Sequence, residues 1–298
     1  MISVGRILEG AFGVFREHFT AVAIWGGIYL VCNLAMVLAI QPLLGAATDP
    51  AFARNTAAAI SAMGPVWLLV LLLAIVGIVL YTAAMRAVIR PQASGIAFLR
   101  LGMDELRTFG LLVLFMIASF VLFFSSSLVV GLLIGGVAAG SESVALTAIL
   151  SVIVGLVILG ALIFLVMRFS LAFPLTLHRR AFAIGEAWRL SRGHFWTLFG
   201  AALVVSVIGF VLSTAINMVA MGGYFADIMS AAGNPDAMAR AMERQANAAG
   251  SFNTLMILQS IGGSIVAAIW FALSGGSVAS AARLLIRDEF DDAEDVFG

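Results

Sequence analysis

The chain has 298 residues, of which 62% are hydrophobic and 11% charged, with sixteen basic and sixteen acidic side chains. Soluble domains carry about 25% charged residues, so this deficit, with a mean hydropathy of +1.12, excludes an ordinary soluble domain. Zero net charge leaves no basic field to hold nucleic acid, and a lone cysteine, Cys32, excludes an intrachain disulfide.

The opening VGRILEGAFGVFREHF carries Arg6, Glu9, Arg16 and Glu17 where a secretory signal would hold its apolar core. It therefore reads as an amphipathic helix and not as a cleaved leader. Six stretches then run without charge for long enough to cross a bilayer, which takes about 20 residues each. They lie near 20–45, 65–89, 109–137, 144–170, 196–222 and 254–282. An even number of spans puts both termini on one side.

Every basic residue is arginine, a pattern of GC-rich bacterial genomes. Thirteen arginines fall before span one, around the 2–3 and 4–5 connections, and after span six; only Arg54, Arg240 and Arg244 fall opposite. The excess of positive charge on cytoplasmic loops predicts a multi-pass protein of the bacterial inner membrane with both termini in the cytoplasm.

The outward connections differ. The first has Asp49 as a helix cap, Pro50 in the first turn and Gly64 as a stop, so a short Ala-rich helix is expected. AAGSES at 138–143 is a turn. The third, NPDAMARAMERQANAAG, has Asn234 to cap and Pro235 to start a helix, with Met238 and Met242 on one face. That helix either lies on the outer surface or covers a pocket.

An internal repeat organises the chain. In FAIGEAWRLSRGHFWTLFG (182–200), Ile184, Ala187, Trp188 and Phe195 share one helical face, opposite Glu186, Arg189 and Arg192. Arg16, His18 and Phe19 of the opening align with Arg192, His194 and Phe195. A weaker copy, GIAFLRLGMDELRTFGLLVLF, puts Arg107 in the place of Arg16. The even spans end alike, in AAMRAVIR, LVMRFSLA and SAARLLIR, with Arg86, Arg168 and Arg283 in matching places. The expected fold is all-α: six transmembrane helices in three repeats (about 3–90, 95–180 and 182–290), each with a preceding amphipathic interfacial helix. These form one transmembrane domain, 1–290, followed by an acidic tail, 291–298, too poor in apolar surface to order itself. The matching arginines either anchor each span by snorkelling or contact anionic headgroups, together with Arg16, Arg107 and Arg192.

Span six carries Ser260, Ser264, Ala268, Ala272, Gly276 and Ser280 at four-residue spacing, and span three carries Gly131 and Gly135. Small residues on one ridge let helices approach closely in lipid, either within the chain or in a homo-oligomer. Asn33, Ser125 and Asn217 are polar groups at depth and could line a path. No acidic residue, lysine or histidine sits in the middle of a span, where proton-coupled transporters hold one.

Catalytic patterns are missing. His18, His178 and His194 form no metal motif, and no nucleophile elbow or phosphate-binding loop occurs. Asp104 and Glu105 are adjacent and diverge on a helix, and Asp104 reads as a surface partner of Arg107. Glu9 and Glu186 alone hint at enzyme action on a headgroup. None of the six prolines begins the Pro-x-acid-x-x-base motif of three-repeat mitochondrial-type carriers.

VGRILEGAFGVFREHF, and FAIGEAWRLSRGHFWTLFG after RFSLAFPLTLHRR, resemble the bacterial integral membrane family named for the membrane domain of glycerophosphoryl diester phosphodiesterase. The resemblance implies a multi-helix membrane module, found alone or fused to a soluble phosphodiesterase domain. The catalytic His-Arg-Gly is absent here, so the enzymatic role does not transfer. The resulting expectation is a non-catalytic membrane organiser or headgroup-binding module at the cytoplasmic leaflet, with membrane lipids as partners and no cofactor. A transporter of lipid or a small amphiphile is the alternative.

Overall fold

The computed structural model describes residues 2–46, 56–92, 95–140, 144–249 and 253–297. Among them the regular structure is helical throughout. An amphipathic helix, α1 (Val4–Glu17), leads into α2 (Phe19–Ala46) and then α3 (Thr56–Ile89). A 3₁₀ turn at Ile96–Phe98 precedes α4 (Met103–Gly140) and α5 (Val144–Phe169). Two short helices follow, α6 (Ala172–Arg179) and α7 (Ile184–Leu190). The chain ends in α8 (Phe195–Ser230), α9 (Pro235–Ala249) and α10 (Thr254–Phe297). Helices α2, α3, α4, α5, α8 and α10 are each long and apolar enough to cross a membrane. This is the architecture of an all-α, polytopic membrane protein.

Local chemistry accounts for some of the helix ends. Asn234 Oδ1 accepts the N–H groups of Asp236 and Ala237, both at 3.1 Å, and so caps α9. Glu105 reaches back 3.0 Å to the N–H of Gly102 at the head of α4, one half of a capping box. Gly193, at φ +84°, turns the chain from α7 into α8 in a conformation that costs a side-chain-bearing residue about 1–2 kcal/mol. Glu17 stands at the corresponding place of the first copy, and the chain there stays nearly helical. His18 donates to the Val14 carbonyl at 3.1 Å and accepts from Val22 at 3.1 Å.

Several boundaries depart from expectation. Asp49, Pro50 and the 141–143 turn lie outside the described residues. Gly64 ends no helix: α3 runs through Gly64 and Pro65, and Pro65 stands inside it, where it removes one ladder bond. The middle amphipathic segment is not a separate helix. With no breaker after Met103, α4 continues from it into the apolar run. The backbone of α10 is helical through the acidic tail, which contains no glycine or proline before Gly298 to interrupt it. A break at Ser170–Leu171 separates α6 from α5, with Pro174 in the first turn of α6.

The chain forms two compact units. One comprises Met1–Leu8, Leu101–Ala201 and Val278–Gly298, and the other Glu9–Arg100 and Ala202–Ser277. The core of the first gathers Ile7, Leu111, Leu171, Leu175, Ala187, Leu198 and Leu285. Thr176 is buried beside it and accepts the Ala183 N–H at 3.2 Å, which ties α6 to the start of α7. In the second unit α2 packs along α3, and the small-residue ridge of α10 is inside. Ser260, Ser264, Ala268 and Ala272 are buried. A Cβ on Gly276 would lie 3.1 Å from Ala11 Cα, and one on Gly26 would lie 3.5 Å from the Ala268 methyl. Close backbone approach of this kind lets dispersion hold helices together where lipid removes the hydrophobic drive.

Candidate functional site

The predicted arginines fall into distinct environments. Arg86, in the last turn of α3, is 2% exposed, and its Nη1 donates to the Phe98 carbonyl at 2.5 Å. That carbonyl belongs to an unusual turn, in which Ala97 and Phe98 both adopt positive φ, 53° and 59°. The indole N–H of Trp25 donates to the Ala97 carbonyl at 2.9 Å, and the His18 ring meets Phe98 edge-on at 4.8 Å. Two consecutive left-handed non-glycine residues cost about 2–4 kcal/mol together. A neutral hydrogen bond returns about 1 kcal/mol and one from a charged donor about 1.5–3, so the turn depends chiefly on Arg86. Arg86 is thus buried inside the fold, with one of its donors on a backbone carbonyl.

Arg168, at the matching place in α5, is different. It is half-buried, with Phe164 5.2 Å and Trp188 4.9 Å from its guanidinium carbon. Its Nη1 donates to Ser191 Oγ at 3.3 Å and weakly to the Trp188 carbonyl at 3.5 Å, both at the C-terminal end of α7. The negative end of the helix dipole lies there, which suits a cation. Its Nε is buried with no hydrogen-bond partner. Ser191 is itself fully buried and donates to the Trp188 carbonyl at 3.2 Å. Phe169 packs on Trp188 at 5.3 Å and Phe195 on Phe164 at 5.5 Å, so aromatic rings wall the corner.

Arg107 pairs with Asp104 at 3.4 Å, one turn along α4. Arg16 and Arg192 are exposed, with no side-chain partner among the described residues, and Arg283 is exposed on α10. Arg168 and Arg192 share one unit and Ser191 links them: Arg168 bonds its hydroxyl, and Arg192 follows it in sequence. Arg16 and Arg86 belong to the other unit.

Asn33 and Asn217 lie in one unit and Ser125 in the other. Ser125 donates to the Val121 carbonyl at 2.6 Å and Asn217 to the Ser213 carbonyl at 2.8 Å, so both spend their donors on their own helices. Gly131 and Gly135 are exposed, and a Cβ on either would meet nothing within 4 Å. Glu186 is gripped by Arg179 through Nη2 at 2.7 Å and Nε at 3.2 Å, a two-point pair that accounts for its place on α7. Glu9 is exposed and lies in the other unit. Among the described residues no three His, Cys, Asp or Glu side chains gather to hold a metal.

Sequence reasoning missed Ser191, Trp25 and the 96–98 turn. Ser191 had one signal, a hydroxyl between the last turn of an amphipathic helix and an Arg-Gly stop. Nothing in Ala97 or Phe98 announces positive φ, because their partners come from other helices. No family model, curated protein or solved structure matches the chain. What the fold defines is the class, a helical protein with six membrane-length apolar helices.

Proposed function

We propose that this is a non-catalytic, multi-pass inner-membrane module of three repeats that binds anionic lipid headgroups at the cytoplasmic leaflet. The resemblance to the phosphodiesterase-associated membrane family belongs to the same proposal. Its carrying observation is the pair Arg16 and Arg192. Each stands exposed and without a side-chain partner among the described residues, where an amphipathic helix gives way to an apolar one. Juxtamembrane arginines contribute about 1 kcal/mol each toward anionic lipid near the surface, and guanidinium matches phosphate with parallel hydrogen bonds.

The test is lipid analysis of the protein excised from membranes of mixed phosphatidylglycerol and phosphatidylcholine. Enrichment of the anionic lipid around the wild type, reduced in an Arg16→Ala/Arg192→Ala variant, is expected. Equal recovery of both lipids with the wild type would remove the reading.

A further inference from the structure

We infer that the Nε–Nη2 edge of Arg168 is a binding site for the phosphate diester of one anionic phospholipid; this rests on the headgroup reading above and makes it site-specific. A guanidinium has five N–H donors in a rigid fork. At Arg168 only Nη1 is used, by Ser191 Oγ and the Trp188 carbonyl. Nε is buried without an acceptor, and Nη2 makes no hydrogen bond among the described residues. Phe164 and Trp188, in edge contact with each other at 6.2 Å, both lie within cation–π range of the group. The free direction is therefore the edge carrying Nε and Nη2 side by side, the pair of donors that grips two oxygens of one phosphate.

No carboxylate pairs with Arg168 among the described residues, so its charge is balanced only by neutral acceptors and aromatic faces. The site also lies at the right level for a lipid. Arg168 is the first charged residue after the apolar run that begins α5. Trp196, 78% exposed, follows the same turn, as interfacial tryptophans do. Exposed Arg192 stands next to Ser191 and adds a second positive charge. Arg86 provides the contrast: the same span position, with an internal carbonyl as acceptor where the Nε of Arg168 has none. Because Nε is buried, a phosphate that takes both donors must shift the guanidinium from its present place beside Phe164 and Trp188.

The experiment is native mass spectrometry of the full chain in nanodiscs containing phosphatidylglycerol. One retained lipid per chain is expected for the wild type. Arg168→Lys, which keeps the charge and loses the fork, should lower retention about tenfold, while Arg240→Lys, on α9, should leave it unchanged. Equal retention by Arg168→Lys and wild type would overturn the site. So would a bare wild type that still enriches anionic lipid in bulk, a result that leaves the collective headgroup reading standing. Loss of the retained lipid on adding millimolar inorganic phosphate would overturn the lipid assignment in favour of a free anion. If Arg168→Lys does not fold, a photoreactive phosphatidylglycerol on the wild type decides. Crosslinks in 164–168 and 188–196 are expected, and crosslinks confined elsewhere would overturn the inference.

Discussion

Two sequence devices occur in both units of this protein, and each unit uses them in opposite ways. An arginine closes an apolar helix at 86 and again at 168. In one unit it is sealed and donates to the Phe98 carbonyl. In the other it lies half-buried beside two aromatic rings, with its Nε unpartnered. Small residues recur at four-residue spacing on α10 and on α4. The α10 ridge is buried, with Gly276 against the Ala11 backbone, whereas a Cβ at Gly131 or Gly135 would meet no described residue within 4 Å. Spacing and residue type thus set what an element is able to do. The neighbours that arrive from elsewhere decide whether it is spent on holding the fold or left open for another molecule.

Substitution at the tightest approach should give the largest effect. A Cβ at Gly276 would already lie 3.1 Å from Ala11 Cα and 3.2 Å from a Val14 methyl, and a leucine must push backbone apart. Gly276→Leu is expected to destabilise by about 3 kcal/mol or more, read as a lowered unfolding midpoint in detergent. An unaltered midpoint would mean that the ridge does not carry the packing. Arg86→Ala comes next. It strands the Phe98 carbonyl and leaves the two positive-φ residues with the Trp25 indole bond, the His18 ring contact and the turn's own backbone bonds, at an expected cost of about 2 kcal/mol. Chemical denaturation should show it, with faster hydrogen exchange confined to 95–100. A stability loss from Arg168→Ala as large as that from Arg86→Ala would erase the contrast between the two arginines.

Much of the fold was legible because membrane length is a blunt constraint: a run of about 20 apolar residues has few alternatives to a spanning helix. Local chemistry fixed the start of α9 at Asn234–Pro235, and there the expected cap and the observed hydrogen bonds coincide. Legibility failed where tertiary partners decide. The Ile96–Phe98 turn is built by donors 72 and 12 residues away in sequence, and neither alanine nor phenylalanine advertises a left-handed backbone. The Gly64–Pro65 pair signals a stop, yet α3 continues through it. For the site, sequence supplied the arginines at matching positions. It could not say that Arg86 would find a carbonyl and Arg168 a serine and two rings. That difference arises from the turn at 96–98 on one side and from α7 on the other.

The smallest expected effect is also the sharpest test of what an open ridge means. Gly131 lies on an exposed face of α4 with no atom near its Cβ position. Replacing a helical glycine relieves about 0.5–1 kcal/mol of backbone entropy cost, and in Gly131→Leu no neighbour stands to be displaced. The change should therefore leave the unfolding midpoint of the isolated chain within about 0.5 kcal/mol of wild type, or raise it slightly, while Gly276→Leu collapses it. The measurement is best made at two protein concentrations. A loss for Gly131→Leu that appears only at the higher concentration, with a shift toward smaller particles on size exclusion, would show that a second copy covers Gly131 and Gly135 through close helix approach. A loss independent of concentration would place an unseen neighbour within the chain itself. No loss at either concentration would mean that lipid alone covers α4, with its four-residue glycine spacing carrying no packing role.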